Sequence, residues 1–263
     1  MKKLGTLLMA LSMLLSLTAC GGNADKNASD VDYVKENGKL VIGMTDFAPM
    51  DYKEDGSDEW VGFDADMAKK FAEYLGVDAE FIEINWDNKA MELETKAIDV
   101  VWNGMTLTEE VKSLMGTSDP YCLNGQVVVV PADEAEQYQN VDDLRDLSFA
   151  VENGSAGAEQ LNALEIPYIA MQTQAQALME VAAGTSDACV IDLLMAGAMI
   201  GEGTSYPNLT YTVQLNSEEY GVGFRKDSDL IETFNTFWKE SYDAGTVMEV
   251  ATVYGVQESL VEK

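Results

Sequence analysis

The chain has 263 residues, 47% of them hydrophobic, which is enough to bury one large core or two ordinary ones. Against 16 Lys and Arg stand 46 Asp and Glu, a net charge of −30, so phosphate backbones are repelled and no nucleic-acid partner is expected. There is no His, which excludes Ser-His-Asp and Cys-His catalysis and His-containing zinc sites.

Met1-Lys2-Lys3 followed by the apolar run Leu4 to Leu17 reads as an export signal, since the run is shorter than the roughly 20 residues of a bilayer span. It closes on Leu17-Thr18-Ala19-Cys20, which resembles the bacterial lipobox. The resemblance implies that residues 1–19 are removed and that Cys20 is lipidated, fixing the protein to the membrane through its N-terminus. Residues 20–37 are expected as a tether, because Gly21 to Asp30 is small, polar and without apolar period. Beyond Cys20 only Cys122 and Cys189 remain. They form one disulfide or stay as two thiols, and their apolar, strand-like contexts favour buried thiols.

Lys39 to Met44 reads as a short buried strand, with Phe47 at its exit. A helix is expected from Asp64, taken as its N-cap, with Met67, Phe71 and Leu75 on one face and Gly76 as its stop. A strand Val77 to Ile84 leads to Trp86, a helix Asn88 to Lys96 centres on Met91, and a strand Ile98 to Trp102 ends in Asn103-Gly104-Met105-Thr106. The alternation resumes with Gln126 to Pro131, a strand Ser148 to Val151, a helix from Ser155, a helix Gln174 to Ala183 and a strand Ala188 to Ile191 ending in Asp192. Around Asp99 and again around Asp187 the chain runs helix end, turn, Asp, buried strand, which points to two similar α/β units. Ligands in open α/β sheets bind beyond the carboxyl ends of the strands, so Phe47, Trp86, Asn103 to Thr106, Ser155 and Asp192 are the positions of interest. Leu230, Ile231, Phe234, Phe237, Trp238 and Tyr242 share one helical face, and Val247, Met248, Ala251 and Tyr254 another, both expected as core.

Gly62-Phe63-Asp64-Ala65-Asp66, Trp86, Ile98 to Thr108, Ser118-Asp119-Pro120-Tyr121, Val141-Asp142-Asp143-Leu144, Asn153-Gly154-Ser155, Asp187 to Asp192 and Tyr220 to Lys226 stand in a definite order. In that order, over residues 38–255 and behind a lipobox, they resemble the extracytoplasmic solute-binding proteins of family 3. The resemblance implies an α/β, two-lobed type 2 periplasmic-binding-protein fold, residues 38–122 with 223–263 forming one lobe and 123–222 the other. Two crossing hinge strands are expected near Tyr121 to Val128 and Tyr220 to Phe224.

The resemblance also implies a set of ligand-binding residues. Phe47 and Trp86 match aromatic positions that sandwich the ligand. Asn103, Gly104, Met105 and Thr106 match the loop that offers it a carbonyl, a hydroxyl and an amide. Ser155 and Ala156 start a helix whose free amides suit a carboxylate, and Asp192 matches the acid that pairs with an α-ammonium. Two residues depart from the pattern: Val111 stands where the family's carboxylate-binding Arg is expected, and Ala156 where a Thr is common. A ligand carboxylate would have to be met by amides or by another residue such as Lys89 or Lys112, or the ligand has none.

The implied function is a monomeric receptor that binds a small amino acid or related ammonium-bearing solute and delivers it to the permease subunits of an ABC importer at the extracytoplasmic face, without a cofactor or metal. The other readings are an enzyme resembling the cyclohexadienyl dehydratases, with Glu152 as its general acid, and a solute sensor for a signalling partner. The chain has no phosphate-binding Gly-x-x-x-x-Gly-Lys loop, so ATP hydrolysis would fall to another subunit.

Overall fold

The computed structural model describes residues 29–262, so residues 1–19, expected as a signal segment, and Cys20 lie outside the described residues. Two mixed sheets are built on one plan. In the first, Asp78–Glu83, Lys39–Met44 and Val100–Thr106 run parallel in that order, and Glu218–Phe224 closes the row antiparallel, with Gly116–Thr117 and Cys122–Asn124 on its far side. In the second, Tyr168–Met171, Phe149–Glu152 and Ala188–Asp192 run parallel, followed by antiparallel Gln126–Pro131 and Leu209–Gln214. The central strands are buried along nearly their whole length, which explains their continuous apolar runs. The repeated Asp has one task in both halves. Asp99 accepts the amide of Val41 at 3.0 Å and Asp187 that of Ser148 at 2.8 Å, each fastening the start of the neighbouring parallel strand.

The chain passes between the sheets twice, at Gly125 and at Leu215 to Ser217. The lobe limits therefore shift from the expectation: Leu123, Asn124 and Glu218 to Val222, expected in the second lobe, belong to the first sheet, where Glu218 and Glu219 pair with Asn124 and Leu123, and Tyr220 and Gly221 with Thr106 and Met105. Residues Asn103 to Thr106, expected as a loop, are the end of that strand for the same reason. The tether is shorter than expected. Asp30–Asn37 is a helix, because Ser29 caps its start and Asp229 accepts the amides of Asp30 and Val31 at 2.9 and 3.0 Å.

The helix Phe63–Leu75 buries Met67, Phe71 and Leu75 and stops at Gly76, as its spacing predicts. Its N-cap is Gly62, not Asp64. At φ 127° a side chain at position 62 would lie 2.1 Å from the Met50 carbonyl oxygen, so only glycine fits. Asp64 turns inward, accepting the Gly104 amide at 2.6 Å and the Tyr121 hydroxyl at 2.7 Å. The helix after Trp86 is shorter than expected, Lys89–Glu94, and packs through Leu93 while Met91 is 53% exposed. Phe234, Phe237 and Trp238 of Leu230–Asp243 close over Trp102 and Phe71, with Trp102 and Phe234 edge to face at 4.9 Å. In Thr246–Tyr254, Val250 takes the inward place expected for Met248, which faces solvent.

Cys122 and Cys189 are free and buried, one in each sheet, and burial pushes both thiols up. In native protein both thiols should react with iodoacetamide at least roughly ten-fold more slowly than in denaturant. Fast native labelling followed by mass spectrometry would contradict this packing.

Candidate functional site

The carboxyl ends of both sets of parallel strands meet at a narrow cavity of about 20 Å³. The first lobe lines it with Trp86, Lys89, Asn103, Gly104, Met105, Thr106, Thr108 and Val111, and the second with Gln126, Glu152, Gly154, Ser155, Ala156, Glu159, Gln174 and Asp192. Eight of the nine positions singled out in the sequence are thus brought together. Phe47 is the exception. Its ring is buried against Tyr220 and over Gly104, where an added Cβ would lie 2.6 Å from it, so it packs behind the wall rather than in it.

The polar groups of the wall are partly committed. Asn103 accepts the amide and hydroxyl of Thr45 at 3.0 and 2.9 Å and donates to Asp51 at 2.8 Å. The Gly104 amide is held by Asp64, and the Thr106 hydroxyl donates to Glu218 at 2.9 Å. The Ser155 hydroxyl caps its helix by accepting the Ala158 amide at 3.1 Å. Contacts cross from lobe to lobe away from the crossings as well: Lys89 Nζ donates to the Gly154 carbonyl at 3.0 Å, and the Thr108 hydroxyl donates to Glu159 at 3.1 Å. Gly154 lies so close to Asp87 that a Cβ would fall 2.7 Å from its carboxylate oxygen. The cleft is closed in this structure.

Asp192 is 3% exposed and ends its strand at the cavity. It starts the next helix but caps nothing with its side chain. Its carboxylate instead accepts hydrogen bonds from the side-chain amides of Asn124, Gln174 and Gln126, the last at 2.7 Å. Glu218 stands beside it, satisfied by Thr106, Asn124, Gln126 and Asn216. This amide and carboxylate cluster spans both crossings and was not legible as a site, because its members are brought together only by the two passages at Gly125 and Leu215 to Ser217. Gln174 could have been found: it opens a helix just beyond the strand Tyr168–Met171, where ligand contacts are expected.

Lys89, not Lys112, is the cation of the cavity. It is 9% exposed and lies over the Trp86 ring at 5.0 Å, whereas Lys112 is exposed beside Glu109. Burial lowers the Lys89 ammonium from its usual value. Burial, and then the charge of Glu218, pushes the Asp192 carboxyl up to about 8. Burial, and then Asp192, pushes Glu152 up to about 8 as well.

These shifts have a sign. Unfolded, the two carboxyls titrate near 3.8 and 4.5; folded and empty, they keep their protons to about 8. The folded state binds more protons in between, so their contribution to ligand-free stability falls as pH rises through that window. Buried Asp51 and Asp64 act in the same direction. Asp187 and Asp229 are held low, and their contribution is complete above the ordinary carboxylate range. Ligand-stripped protein should therefore melt at a lower temperature at about pH 8 than at about pH 5.5. A melting temperature that rises over this interval would contradict the buried-acid assignment.

Residues 40–257 match the family described as bacterial extracellular solute-binding proteins, family 3. The arginine-binding extracellular protein ArtP of Bacillus subtilis is 30% identical over 93% of this chain and 94% of its own. Among solved structures, the P235GK mutant of the T. maritima protein ArgBP superposes with a TM-score of 0.79 at 33% identity, covering 86% of this chain and 98% of that one. An ancestral amino acid-binding protein, described as a precursor of cyclohexadienyl dehydratase, gives 0.78 at 29% identity over 86% of this chain and 99% of that one.

Proposed function

The chain belongs to the bacterial extracellular solute-binding proteins, family 3, and on that premise we propose that it is the receptor of an ABC importer, taking a small amino acid or related ammonium-bearing solute into its interlobe cleft. The observation that carries this reading is the meeting of Asp192 and Trp86 in one cavity between the lobes. Asp192 receives the ligand's ammonium, and Trp86 shields it from water. Asn103, Gly104, Met105 and Thr106 form the wall on one side, and Ser155 and Ala156 that on the other. Phe47 supports that wall from behind. Because contacts from both lobes are available together only when the cleft is shut, binding energy selects the closed form, and that form docks on the permease. A lipid on Cys20 would hold the receptor, as a monomer, at the extracytoplasmic face of the membrane. A sensor for a signalling partner would use the same closure.

Calorimetry of ligand-stripped protein against amino acids and amines tests the reading. Saturable binding of at least one ammonium-bearing solute is expected, and no heat from any of them would overturn it.

A second reading, an enzyme related to the cyclohexadienyl dehydratases, is favoured by one observation: Glu152 is a buried acid on the cavity wall that keeps its proton to about 8. Turnover of prephenate or arogenate would establish it, and a ligand recovered unchanged would exclude it for that ligand.

A further inference from the structure

We propose that the occupant of the cleft is a dication without a carboxylate, a linear diamine or an amino-guanidine, held between Asp192 and Glu152. This rests on the reading of the chain as a receptor for ammonium-bearing solutes and narrows its ligand class.

Three carboxylates, Glu152, Glu159 and Asp192, line the cavity against one cation, Lys89. Lys89 is already engaged, donating to the Trp86 and Gly154 carbonyls at 3.2 and 3.0 Å with its charge over the Trp86 ring. Among the described residues, none of the three acids forms an ion pair. Asp192 is held by neutral amides, which orient its carboxylate without discharging it. Glu152 is different: it is 2% exposed, its Oε1 is buried and accepts no hydrogen bond, and the Thr45 hydroxyl beside it donates to Asn103. A buried carboxylate in that position is costly unless it is protonated or met by a cation.

An α-amino acid with a neutral side chain brings one cation for two buried acids and adds a further carboxylate to a wall that already holds three. A molecule with a cation at each end discharges both acids and adds no negative charge. Trp86 and Val111, apolar residues of the wall, suit the methylenes between its ends. Binding then exchanges the protons of Asp192 and Glu152 for ligand charge. Glu218 and Tyr220 face Asp192 from the strand beside the crossings, and Lys89 faces Glu152 from the opposite lobe.

The test is calorimetric titration of ligand-stripped wild-type protein with three matched pairs: cadaverine and lysine, putrescine and ornithine, agmatine and arginine. The decarboxylated member should bind at least about ten-fold more tightly in one pair or more. Comparison of buffers of different ionisation enthalpy should show more than one proton released per ligand at about pH 7. If the amino acid binds as tightly or more tightly in every pair, or if only neutral amino acids bind, the dication assignment is overturned while the receptor function stands. If no ammonium-bearing solute binds, both fall. Glu152→Gln, isosteric with the protonated acid, should weaken the diamine at least about ten-fold more than pentylamine. Equal loss for both ligands would overturn the two-acid clasp.

Discussion

Asp192→Asn is expected to weaken binding of ammonium-bearing solutes by roughly 100-fold or more, within the range of about 2–5 kcal/mol for losing one partner of a buried charge pair. The effect is large because the carboxylate is out of water, so its attraction for an ammonium is not screened. Asn matches the shape of the protonated acid, which is the form the empty cavity holds at neutral pH. The variant should therefore fold, and melting of the two ligand-free proteins at about pH 6 serves as the check. A variant that folds and binds within about three-fold of wild type would remove Asp192 from the ligand's ammonium.

Arg225→Met should cost about 3–5 kcal/mol of stability, the usual penalty for breaking a buried ion pair from one side. The guanidinium binds Asp30 at 2.9 Å and Asp99 at 3.0 Å and donates to the Ile98 carbonyl at 2.8 Å, all with little exposure. Its loss leaves Asp99 without a cation and Asp30 with only Lys96 at 3.7 Å, and removes one of the ties between the N-terminal helix Asp30–Asn37 and the first lobe. For a chain of this size the melting temperature should fall by roughly 6–20 °C. Because Arg225 lines no part of the cavity, affinity measured well below the new melting temperature should stay near wild type. A melting temperature unchanged within about 2 °C would mean that this ion pair contributes little.

Much of the fold is legible in the residues because each central strand is an uninterrupted apolar run and each crossover helix carries its own period. Val127 to Val130 and Met67, Phe71 and Leu75 need no tertiary knowledge to be placed. The misread positions share a cause: a side chain or amide that local rules assign to its own element is claimed by a distant one. Asp64 looks like a helix cap but holds Gly104. Asp30 looks like linker but meets Arg225. Glu218, expected within the second lobe, sits between the sheets, held by donors from four other positions.

The same holds at the site. Trp86 and Asp192 could be placed because each lies just past a strand on the carboxyl side, where the sheet's geometry puts ligands. Phe47 obeys that rule too, yet its ring turns onto Gly104 and Tyr220, a choice set by the missing Cβ opposite it. Lys89 could be named from its charge and Glu152 as a buried acid, but that both line one cavity depends on closure bringing Gly154 onto the helix after Trp86.

The central claim is that a positively charged nitrogen sits on Asp192 inside the closed cleft. Native mass spectrometry of wild-type and Asp192→Asn protein, purified side by side without stripping, tests it most directly. A low-mass, amine-bearing adduct is expected on the wild type and not on the variant. The same adduct on both proteins, or an adduct that carries no basic nitrogen, would contradict it.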